Sequence, residues 1–520
     1  MSVVSWVSLA LVLGGLYYGI RIYGLWILET TVSLYLETFN SGVSSLGKPI
    51  SGPKWEFPNG TVIERFLNGR VNSEKWRQYG LVYRIWSGPH PEMQVSSRSH
   101  SLTVITTPED LKYFASDSNN HGKPPNSNMG WFLGELLGKC MGLLAGQDWK
   151  RVRQIFNPPF THTAAVNQIE VIESAARKYV EELPLITDNC QKTSTEKIGH
   201  SFTIPVVKTF TKFPYFLTAQ SIYGPMSEKE EQKLWTVTEN RLALNPYMFG
   251  GGPYRFERGA KGFDTAAVQK LREYSREWHE FNDGMVQVRR ARGEKAAIVS
   301  YWEEYEKGNL TLEELLHTLD ELLMVNLDVF THVISWFITL VADHEAIKRE
   351  LRDEVTANKD NILGYLAQTD THLHRSFYES MRIRPFTIFT IGECASTVKN
   401  FHGILVKPNT QVLVDVLGIN IRNPFWGANS EAFNPSRFKT IKQSDLRYNL
   451  HVFGFGSRKC MGQYLAGHIA KSLVVHLFHQ YEVLVSDGRD GANYDTDKSS
   501  WTPKADASLQ LTRRDVVESI

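Results

Sequence analysis

Hydrophobic residues recur with helical spacing over most of the chain, and strand-like alternation is confined to short stretches. Apolar positions three and four residues apart mark amphipathic segments at 167–183, 263–292, 311–343 and 345–357. The apolar stripe of each segment would pack against a core while its polar face meets solvent. The pattern therefore predicts a mainly helical protein.

The segment 311–343 is the longest predicted helix and has its own start signal. Thr311 and Glu314 have the S/T-x-x-E spacing of a capping box, in which each side chain bonds the backbone N–H of the other residue. From residue 322 to residue 341 the segment is apolar nearly all round. A helix without a polar face is buried on all sides, so this one should cross the protein interior.

Two stretches near the front, 81–86 and 101–106, are rich in β-branched and aromatic residues and have glycine, proline or serine at their ends. Further short strands are expected between residues 386 and 414 and near 508–512. No proline- or glycine-rich linker, internal repeat or low-complexity stretch follows residue 60. The expected fold is mainly α with small β-sheets (α+β), in a single large domain over residues 61–520.

The first 28 residues differ from the rest. Residues 3–20 contain no charged side chain, and after Arg21 the chain stays mostly apolar to Leu28. A run of 18 such residues just spans a bilayer, and its tyrosines and tryptophan suit the membrane interface. A cleaved signal peptide is the alternative, but no basic region precedes the run and no clear cleavage site follows it. We expect a membrane anchor at 1–28 and a juxtamembrane segment with a stiff hinge at 29–60.

Net charge and cysteine content argue against several classes of protein. A formal net charge of +1 gives no support for nucleic-acid binding, which usually needs a concentrated basic face. Cys140, Cys190 and Cys394 are scattered without paired spacing, so neither a zinc site nor a disulfide framework is indicated. Four cysteines in 520 residues suit a reducing compartment. An anchored domain of this composition would face the cytosol.

The fourth cysteine has a distinct setting. Cys460 lies in the segment 453–462, FGFGSRKCMG, two residues after Arg458 and just before an apolar stretch with helical spacing. The dipole and unpaired N–H groups of a helix start favour negative charge on sulfur. A thiolate held there can be the axial ligand of a haem iron, with Arg458 paired to a propionate. The alternative is a buried structural cysteine beside a glycine turn.

The segment resembles the haem-binding signature of the cytochrome P450 family, F-x-x-G-x-R-x-C-x-G, at all five specified positions. The resemblance implies haem b as the cofactor and Cys460 as the metal ligand and a catalytic residue. Phe453, Arg458 and Gly462 would belong to the same cofactor site. It also implies a cytochrome P450-like fold, which makes 61–520 a haem-thiolate catalytic domain.

Further motifs follow the family's order along the chain. Trp149 and Arg153 form a W-x-x-x-R pair on one face of a predicted helix. The resemblance implies that this pair contacts a haem propionate, whereas alone it would be a surface arginine stacked on a tryptophan. Glu379 and Arg382 form an E-x-x-R pair, and Arg437 lies in FNPSRF. In the family these three residues form a buried structural cluster, so Arg437 should bond Glu379.

The long helix departs from the family pattern A/G-G-x-D/E-T-T. Asn326 stands at the glycine position, and Val329 and Phe330 replace the threonine pair. The acid is present as Asp328, which the resemblance makes a catalytic proton relay. Thr331, on the same face three residues later, would restore the hydroxyl if the helix is locally overwound or bulged. Alternatively, Thr331 bonds a carbonyl of its own helix.

Substrate contacts are expected in the loop 116–136, in the long helix and after the E-x-x-R helix. Ordinary core positions are the alternative for each of these residues. Collectively they suggest a dry pocket for an apolar or aromatic molecule. The candidates are Trp131, Phe132, Leu323, Leu327, Phe330, Phe386 and Ile388.

The resemblance implies a haem-thiolate monooxygenase that inserts one oxygen atom from O2 into a small molecule by hydroxylation or epoxidation. The chain has no G-x-G-x-x-G fingerprint, so electrons would come from an NADPH-dependent reductase in the same membrane, expected to be the endoplasmic reticulum. The sequences of the long helix and of the haem-binding segment resemble those of fungal enzymes of secondary metabolism. That resemblance implies cyclic dipeptides or other aromatic natural products as substrates. The alternatives are a reductase-independent haem-thiolate isomerase or dehydratase, favoured by Val329 and Phe330, and a non-catalytic haem sensor.

Overall fold

Helices make up most of the chain, as the sequence predicts. The structure is a computed structural model and describes residues 3–39, 43–44, 50–88, 101–190, 201–486, 496–497 and 501–514. The α-helices are α1 (Val3–Phe39), α2 (Val62–Leu67), α3 (Gly69–Trp76), α4 (Pro108–Ala115), α5 (Trp131–Leu137), α6 (Gly146–Phe156), α7 (His162–Asn167), α8 (Ile169–Cys190), α9 (Val206–Phe210), α10 (Lys212–Tyr223), α11 (Glu228–Leu242), α12 (Asn245–Gly250), α13 (Glu257–Phe263), α14 (Thr265–Ala291), α15 (Ala297–Glu306), α16 (Leu312–Asp320), α17 (Asn326–Asp343), α18 (Glu345–Ala357), α19 (Ile362–Ala367), α20 (His372–Ile383), α21 (Val416–Asn420) and α22 (Gln463–Gln480).

The strands are short and lie in four small sheets. They are β1 (Val43–Ser44), β2 (Val82–Trp86), β3 (Ser101–Ile105), β4 (Ser201–Pro205), β5 (Glu393–Cys394), β6 (Lys399–Phe401), β7 (Ile404–Val406), β8 (Gln411–Val414), β9 (Tyr481–Val485), β10 (Thr496–Asp497), β11 (Lys504–Ala505) and β12 (Ser508–Arg513). The largest sheet has the order β2-β3-β8-β5, and β3 pairs with β2 antiparallel and with β8 parallel. The predicted α+β class is confirmed.

The predicted helices are present, but some of their ends differ. α18 has the predicted bounds, whereas α8 begins two residues later and ends seven residues later than the predicted 167–183. The predicted helix 263–292 corresponds to α14, Thr265–Ala291. Its start is set by Asp264, whose side chain accepts the N–H of Ala267 at 3.0 Å as an N-cap.

The long central helix is continuous but not uniform. The capping box of Thr311 and Glu314 is present at the start of α16. A π-helical segment, Glu321–Val325, joins α16 to α17. In the described part of the chain, Leu312–Asp343 is long and apolar enough to cross a membrane, but 72% of its most apolar window is buried. It is thus the core helix that the sequence predicts.

The main core surrounds this helix. α17 packs against α9, α10 and α20 and against strand β11, while α22 lies along α8. The side chains of Trp336, Phe337 and Leu340 on α17 are buried in the same cluster as Leu473 and Phe478 of α22. The carboxyl end of the chain therefore folds back beside the central helix.

The segment that follows α1 is held against the globule. The N–H of Arg84 donates to the carbonyl oxygen of Ser51 at 2.9 Å, and the Trp86 indole donates to that of Pro53 at 2.9 Å. Trp55 is 2% exposed. Residues 45–49 of the predicted hinge lie outside the described residues. Residues 50–55 are part of the packed domain, because their carbonyls serve as hydrogen-bond acceptors for strand β2.

Candidate active site

Cys460 lies where the chain reverses and α22 begins. Its N–H donates to the carbonyl oxygen of Phe453 at 2.8 Å, which closes the loop 453–460. Gly454 and Gly456 have φ of 77° and 62°, left-handed conformations that glycine adopts without a side-chain clash. α22 begins at Gln463. The predicted position of the cysteine, in a glycine-bounded loop before a helix, is confirmed.

The side chain of Cys460 is exposed even though protein surrounds it. Burial raises the pKa of its thiol, whereas the N–H of Gly462 and the charge of Arg153 lower it. Burial outweighs the effects of Gly462 and Arg153 on this pKa. The position before a helix therefore does not by itself make the sulfur a thiolate. The accessible side chain of Cys460 is available to a ligand of the protein.

Two arginines and a tryptophan lie beside this loop. Arg153 donates to the carbonyl oxygen of Lys459 at 3.0 Å, and Arg458 donates to that of Leu144 at 2.7 Å. The Arg458 guanidinium lies over the ring of Trp149, 4.7 Å from its centre. Burial lowers the pKa of both guanidinium groups. The structure thus brings together three residues predicted to hold a cofactor, and it is Arg458, not Arg153, that stacks on the tryptophan.

These residues fit a haem. In the part of the chain that the structure describes, both guanidinium groups bond backbone carbonyls, which carry no charge. Their positive charges can therefore pair with the two carboxylates of a haem. A Cβ on Gly462 would meet nothing within 4 Å, so open space adjoins the loop. The Cys460 sulfur supplies the soft ligand that a haem-thiolate iron needs.

The predicted structural cluster is assembled on α20. Arg382 donates to Glu379 through two nitrogens at 2.7 and 2.8 Å, and Arg437 donates to the same carboxylate at 2.8 Å. Glu379 and Arg382 are fully buried. Arg382 also donates to the carbonyl oxygens of Asn420 and Ser430, each at 2.6 Å. The predicted bond between Arg437 and Glu379 is present, and its role as support behind the site stays a prediction.

Asp328 and Thr331 are both engaged within the protein. Asp328 Oδ1 lies 2.6 Å from Lys504 Nζ, and both side chains are buried. The hydroxyl of Thr331 donates to the carbonyl oxygen of Leu327 at 2.7 Å, the alternative that the sequence left open. The helix is widened before Asn326 and not at Thr331. A catalytic proton route through Asp328 and Thr331 stays a prediction.

Between residues 322 and 342, the accessible surface of the central helix lies on one face. At about 100° per residue, the five residues concerned span about 140° of the helix circumference. Asp328 and Thr331 lie outside this stripe and are 3% and 1% exposed. The residues of the accessible stripe are Val325, Asn326, Val329, Phe330 and Val333.

Comparison with known proteins decides the family. The model of the family described as Cytochrome P450 matches residues 73–511, which include every motif discussed above. The chain belongs to the cytochrome P450 family. It is therefore an oxidoreductase of a family of haem-thiolate monooxygenases, which use a substrate, O2 and a redox partner.

Curated relatives of this P450 cover most of its length. Cytochrome P450 monooxygenase hasH of Aspergillus fumigatus is 34% identical, over 94% of this chain and 90% of the relative. Cytochrome P450 monooxygenase sirC of Leptosphaeria maculans is 32% identical, over 93% and 92%. Cytochrome P450 monooxygenase gliC of Aspergillus fumigatus is 33% identical, over 92% and 91%. All three are fungal.

The predicted substrate contacts of this P450 divide into two groups. Trp131, Phe330 and Phe386 retain accessible surface, and Phe330 belongs to the accessible stripe. The other four are closed in by protein, because their side chains fill the core beside the stripe or under the loops. Those four core residues are Phe132 (1% exposed), Leu323 (1%), Leu327 (4%) and Ile388 (4%).

Some polar groups near the site were not predicted. Lys123, buried beside β5, donates to Glu393 and to the carbonyl oxygen of Gly392, both at 3.3 Å. His121 lies between Glu393 and Asp117, 3.1 Å from each carboxylate. Glu321 of the π segment contacts the turn between α5 and α6. Of these residues, only Glu321 could have been singled out from the sequence, because it is a charged residue at the start of an apolar run. Lys123 and His121 lie on loops whose contacts are made only by the tertiary fold.

Proposed function

We propose that this P450 is a membrane-anchored monooxygenase of fungal secondary metabolism. It inserts one oxygen atom from O2 into an apolar or aromatic small molecule, by hydroxylation or epoxidation. Electrons come from an NADPH-dependent reductase in the same membrane, the endoplasmic reticulum, with the catalytic domain on the cytosolic side. A cyclic dipeptide is the substrate class proposed first.

The observation that carries the proposal is the setting of Cys460. Its side chain is accessible, and Trp149, Arg153 and Arg458 lie beside its loop. A haem bound through this sulfur supplies O2 binding and activation. Phe453 fixes the ligand loop through its carbonyl oxygen, and the open side of Gly462 leaves room for a flat group.

The residues of this chain then bind and enclose the substrate. The apolar members of the accessible stripe, together with Trp131 and Phe386, present hydrocarbon surface that favours an apolar or aromatic molecule. The same surface excludes stray water from the reaction. Glu379, Arg382 and Arg437 keep the core behind the ligand loop in place. Asp328 and Thr331 are the predicted route by which protons reach the site.

The relatives support the monooxygenase class of the proposal. The three relatives named above are monooxygenases of filamentous fungi and match this chain over nearly its whole length. A monooxygenase needs two electrons for each turnover, which an external reductase must provide. The anchor is supported by the exposed apolar residues of α1, among them Tyr17, Tyr18, Ile20 and Trp26.

The proposal is tested with the haem-loaded enzyme and its Cys460→Ser variant. Reduced wild-type enzyme with carbon monoxide should show the red-shifted absorption band of thiolate ligation, and the variant should lose it. With NADPH, a fungal reductase and labelled O2, a panel of cyclic dipeptides and other aromatic natural products should yield product containing one labelled atom.

Three results would contradict the proposal. A carbon monoxide band typical of histidine ligation would remove Cys460 as the ligand. Product formed without NADPH and without label would indicate an isomerase or dehydratase. Haem binding without turnover of any compound in the panel would favour a sensor.

A further inference from the structure

A carboxyl group outside every family motif lies at the π segment of the central helix. Glu321 is the first residue of that segment, four residues before Val325 and eight before Val329. Residues at this spacing share one face of a helix, so Glu321 continues the accessible stripe. It is half-buried, as are Val325 and Val329.

The α5–α6 turn, residues 138–145, holds this carboxyl group. The N–H of Gly142 donates to Glu321 Oε2 at 3.0 Å, and a Cβ on Gly142 would collide with Oε1. The thiol of Cys140 donates a second hydrogen bond. Burial and the charge of Glu321 raise the pKa of that thiol, so it remains an S–H donor. Two donors thus fix the direction of the Glu321 side chain.

The same turn places the carboxyl group at the arginine end of the site. The carbonyl oxygen of Leu144, two residues after Gly142, accepts from Arg458 at 2.7 Å. The turn is compact, since the N–H groups of Leu143 and Leu144 both donate to the carbonyl oxygen of Cys140, at 3.0 and 3.1 Å. Glu321 and Arg458 therefore contact the same short turn.

Glu321 and Asp328 affect the pKa values of different groups. When it is ionised, Glu321 raises the pKa of Cys460, Arg153 and Arg458. The charge of Asp328 acts on that of Arg241, on α11. Glu321 thus faces the Cys460 side of the central helix. The titratable groups around Glu321 are Asp320, Lys123, Cys140, Arg153, Arg458 and Cys460.

The two carboxyl groups also differ in their partners. Asp328 is paired with Lys504 at 2.6 Å, which stabilises its negative charge in the interior. Glu321 receives hydrogen bonds from neutral donors, a backbone N–H and a thiol. Burial raises the pKa of Glu321, and the nearby charge of Asp320 acts in the same direction. The two hydrogen-bond donors lower the pKa, but burial outweighs them, so Glu321 takes up a proton more readily than an exposed glutamate does.

We propose that Glu321 is the carboxyl group that delivers protons into the space between the central helix and Cys460, while Asp328 serves as the ion-pair partner of Lys504. This inference rests on the proposed monooxygenase function, whose turnover consumes protons. In the transfer, the O–H bond of Glu321 breaks and the proton passes to water in that space. The N–H of Gly142 and the thiol of Cys140 stabilise the carboxylate left behind. It regains a proton from solvent, which the exposed residues 146–148 after the turn meet.

The first test needs no turnover. The infrared spectrum of the haem-loaded protein at pH 7 should contain the carbonyl stretch of a protonated carboxyl group, and the stretch should shift in D2O. Glu321→Gln preserves the shape and an acceptor oxygen for Gly142, and it should abolish this band. Two controls should keep it: Glu313→Gln, at an exposed position on α16, and Asp328→Asn combined with Lys504→Met, which removes both charges of the pair.

The second test is the coupling of electron use to product. General acid groups contribute rate factors of about 100 or more, so Glu321→Gln should lower product formed per NADPH by at least about tenfold and raise hydrogen peroxide release. Glu313→Gln, at an exposed position on α16, is the matched control and should stay within about twofold of wild type. Glu321→Asp, which keeps the acid but withdraws it by one methylene group, should restore part of the coupling.

Either of two results would overturn the inference. An unchanged carboxyl band in Glu321→Gln would show that Glu321 is ionised at pH 7. Normal coupling in Glu321→Gln together with uncoupling in the double variant would assign the proton route to Asp328. The infrared result does not depend on substrate, so failure of this inference is distinguishable from failure of the proposed monooxygenase function.

Discussion

At the scale of single residues, one carboxylate holds the buried charge cluster of α20 together. Glu379 accepts three side-chain hydrogen bonds, two from Arg382 and one from Arg437, and it has no contact with solvent. It also accepts the N–H of Asn434 at 3.0 Å. Removing one partner of such a buried pair leaves an uncompensated charge in a low-dielectric interior, which costs far more than the pair contributes by itself.

We therefore predict that Glu379→Gln lowers the free energy of unfolding by roughly 3–5 kcal/mol, because Arg382 stays buried without a counter-charge. The measurement is the urea midpoint of unfolding, followed by circular dichroism, together with the haem content of the purified protein. Glu257→Gln is the matched control, since Glu257 pairs with Lys261 within one helix but on the exposed surface. Equal midpoints for the two variants would show that the buried cluster does not support the fold.

At the scale of elements, α1 has two dissimilar parts. Its first part exposes apolar side chains, among them Leu13 at 56% and Trp26 at 62%. Its second part contacts the globule: the Ser33 hydroxyl donates to the carbonyl oxygen of Trp55 at 3.3 Å. The N–H of Phe57 donates to Glu29 at 3.1 Å. One unbroken helix therefore connects the proposed anchor to the packed domain, and the predicted boundary at residue 28 falls inside that helix.

Deleting residues 1–28 should move the protein from the membrane fraction to the soluble fraction, because the exposed apolar part of α1 is removed while Glu29 and Ser33 are kept. Sedimentation after a high-salt wash is the measurement. The haem content and the carbon monoxide band of the truncated protein serve as the control for folding. Tight association after the deletion would mean that other surfaces bind the membrane.

At the scale of the whole molecule, several histidines are buried in the neutral form. Burial lowers the pKa of His332, His451 and His468 to about 4 in each case. His332 lies 3.0 Å from the carbonyl oxygen of Arg384 and is 1% exposed. Between pH 4 and the ordinary value of 6.5, the unfolded chain binds protons that the folded protein does not. The free energy of unfolding therefore falls as the pH is lowered through this window.

The expected loss for each such histidine is roughly 2 kcal/mol between pH 7 and pH 5. Urea midpoints measured at both pH values should fall together in the wild-type protein. His332→Gln should show a smaller fall, because glutamine does not titrate, whereas the exposed His162→Gln should match wild type. A midpoint independent of pH would contradict the assignment of these histidines as buried and neutral.

The sequence predicted what local patterns and contiguous motifs determine. The capping box at Thr311 and the Cys460 loop follow from a few neighbouring residues, and both are present. The bond between Glu379 and Arg437 joins distant segments, and the order of the family's motifs allowed its prediction.

Contacts made by the tertiary fold were not predictable in this way. The pairing of Asp328 with Lys504 joins residues 176 positions apart, and no local pattern signals it. The π segment has the composition of an ordinary helix, so its effect on which side chains face inward appears only in the structure. The seven expected substrate contacts were all apolar, a property that core and pocket residues share. Periodicity alone therefore could not show that Leu327 is buried while Phe330 keeps accessible surface.

The π segment Glu321–Val325 sets the rotation of α16 about the helix axis relative to α17. A single residue gained or lost there would turn the whole of α16 by about 100° relative to α17. The pair of Asp328 and Lys504 would remain in place, while a different side chain replaced Glu321 against the α5–α6 turn. Relatives that differ only in the length of this segment would thus present new chemistry to their substrates without a change in the residues of α17.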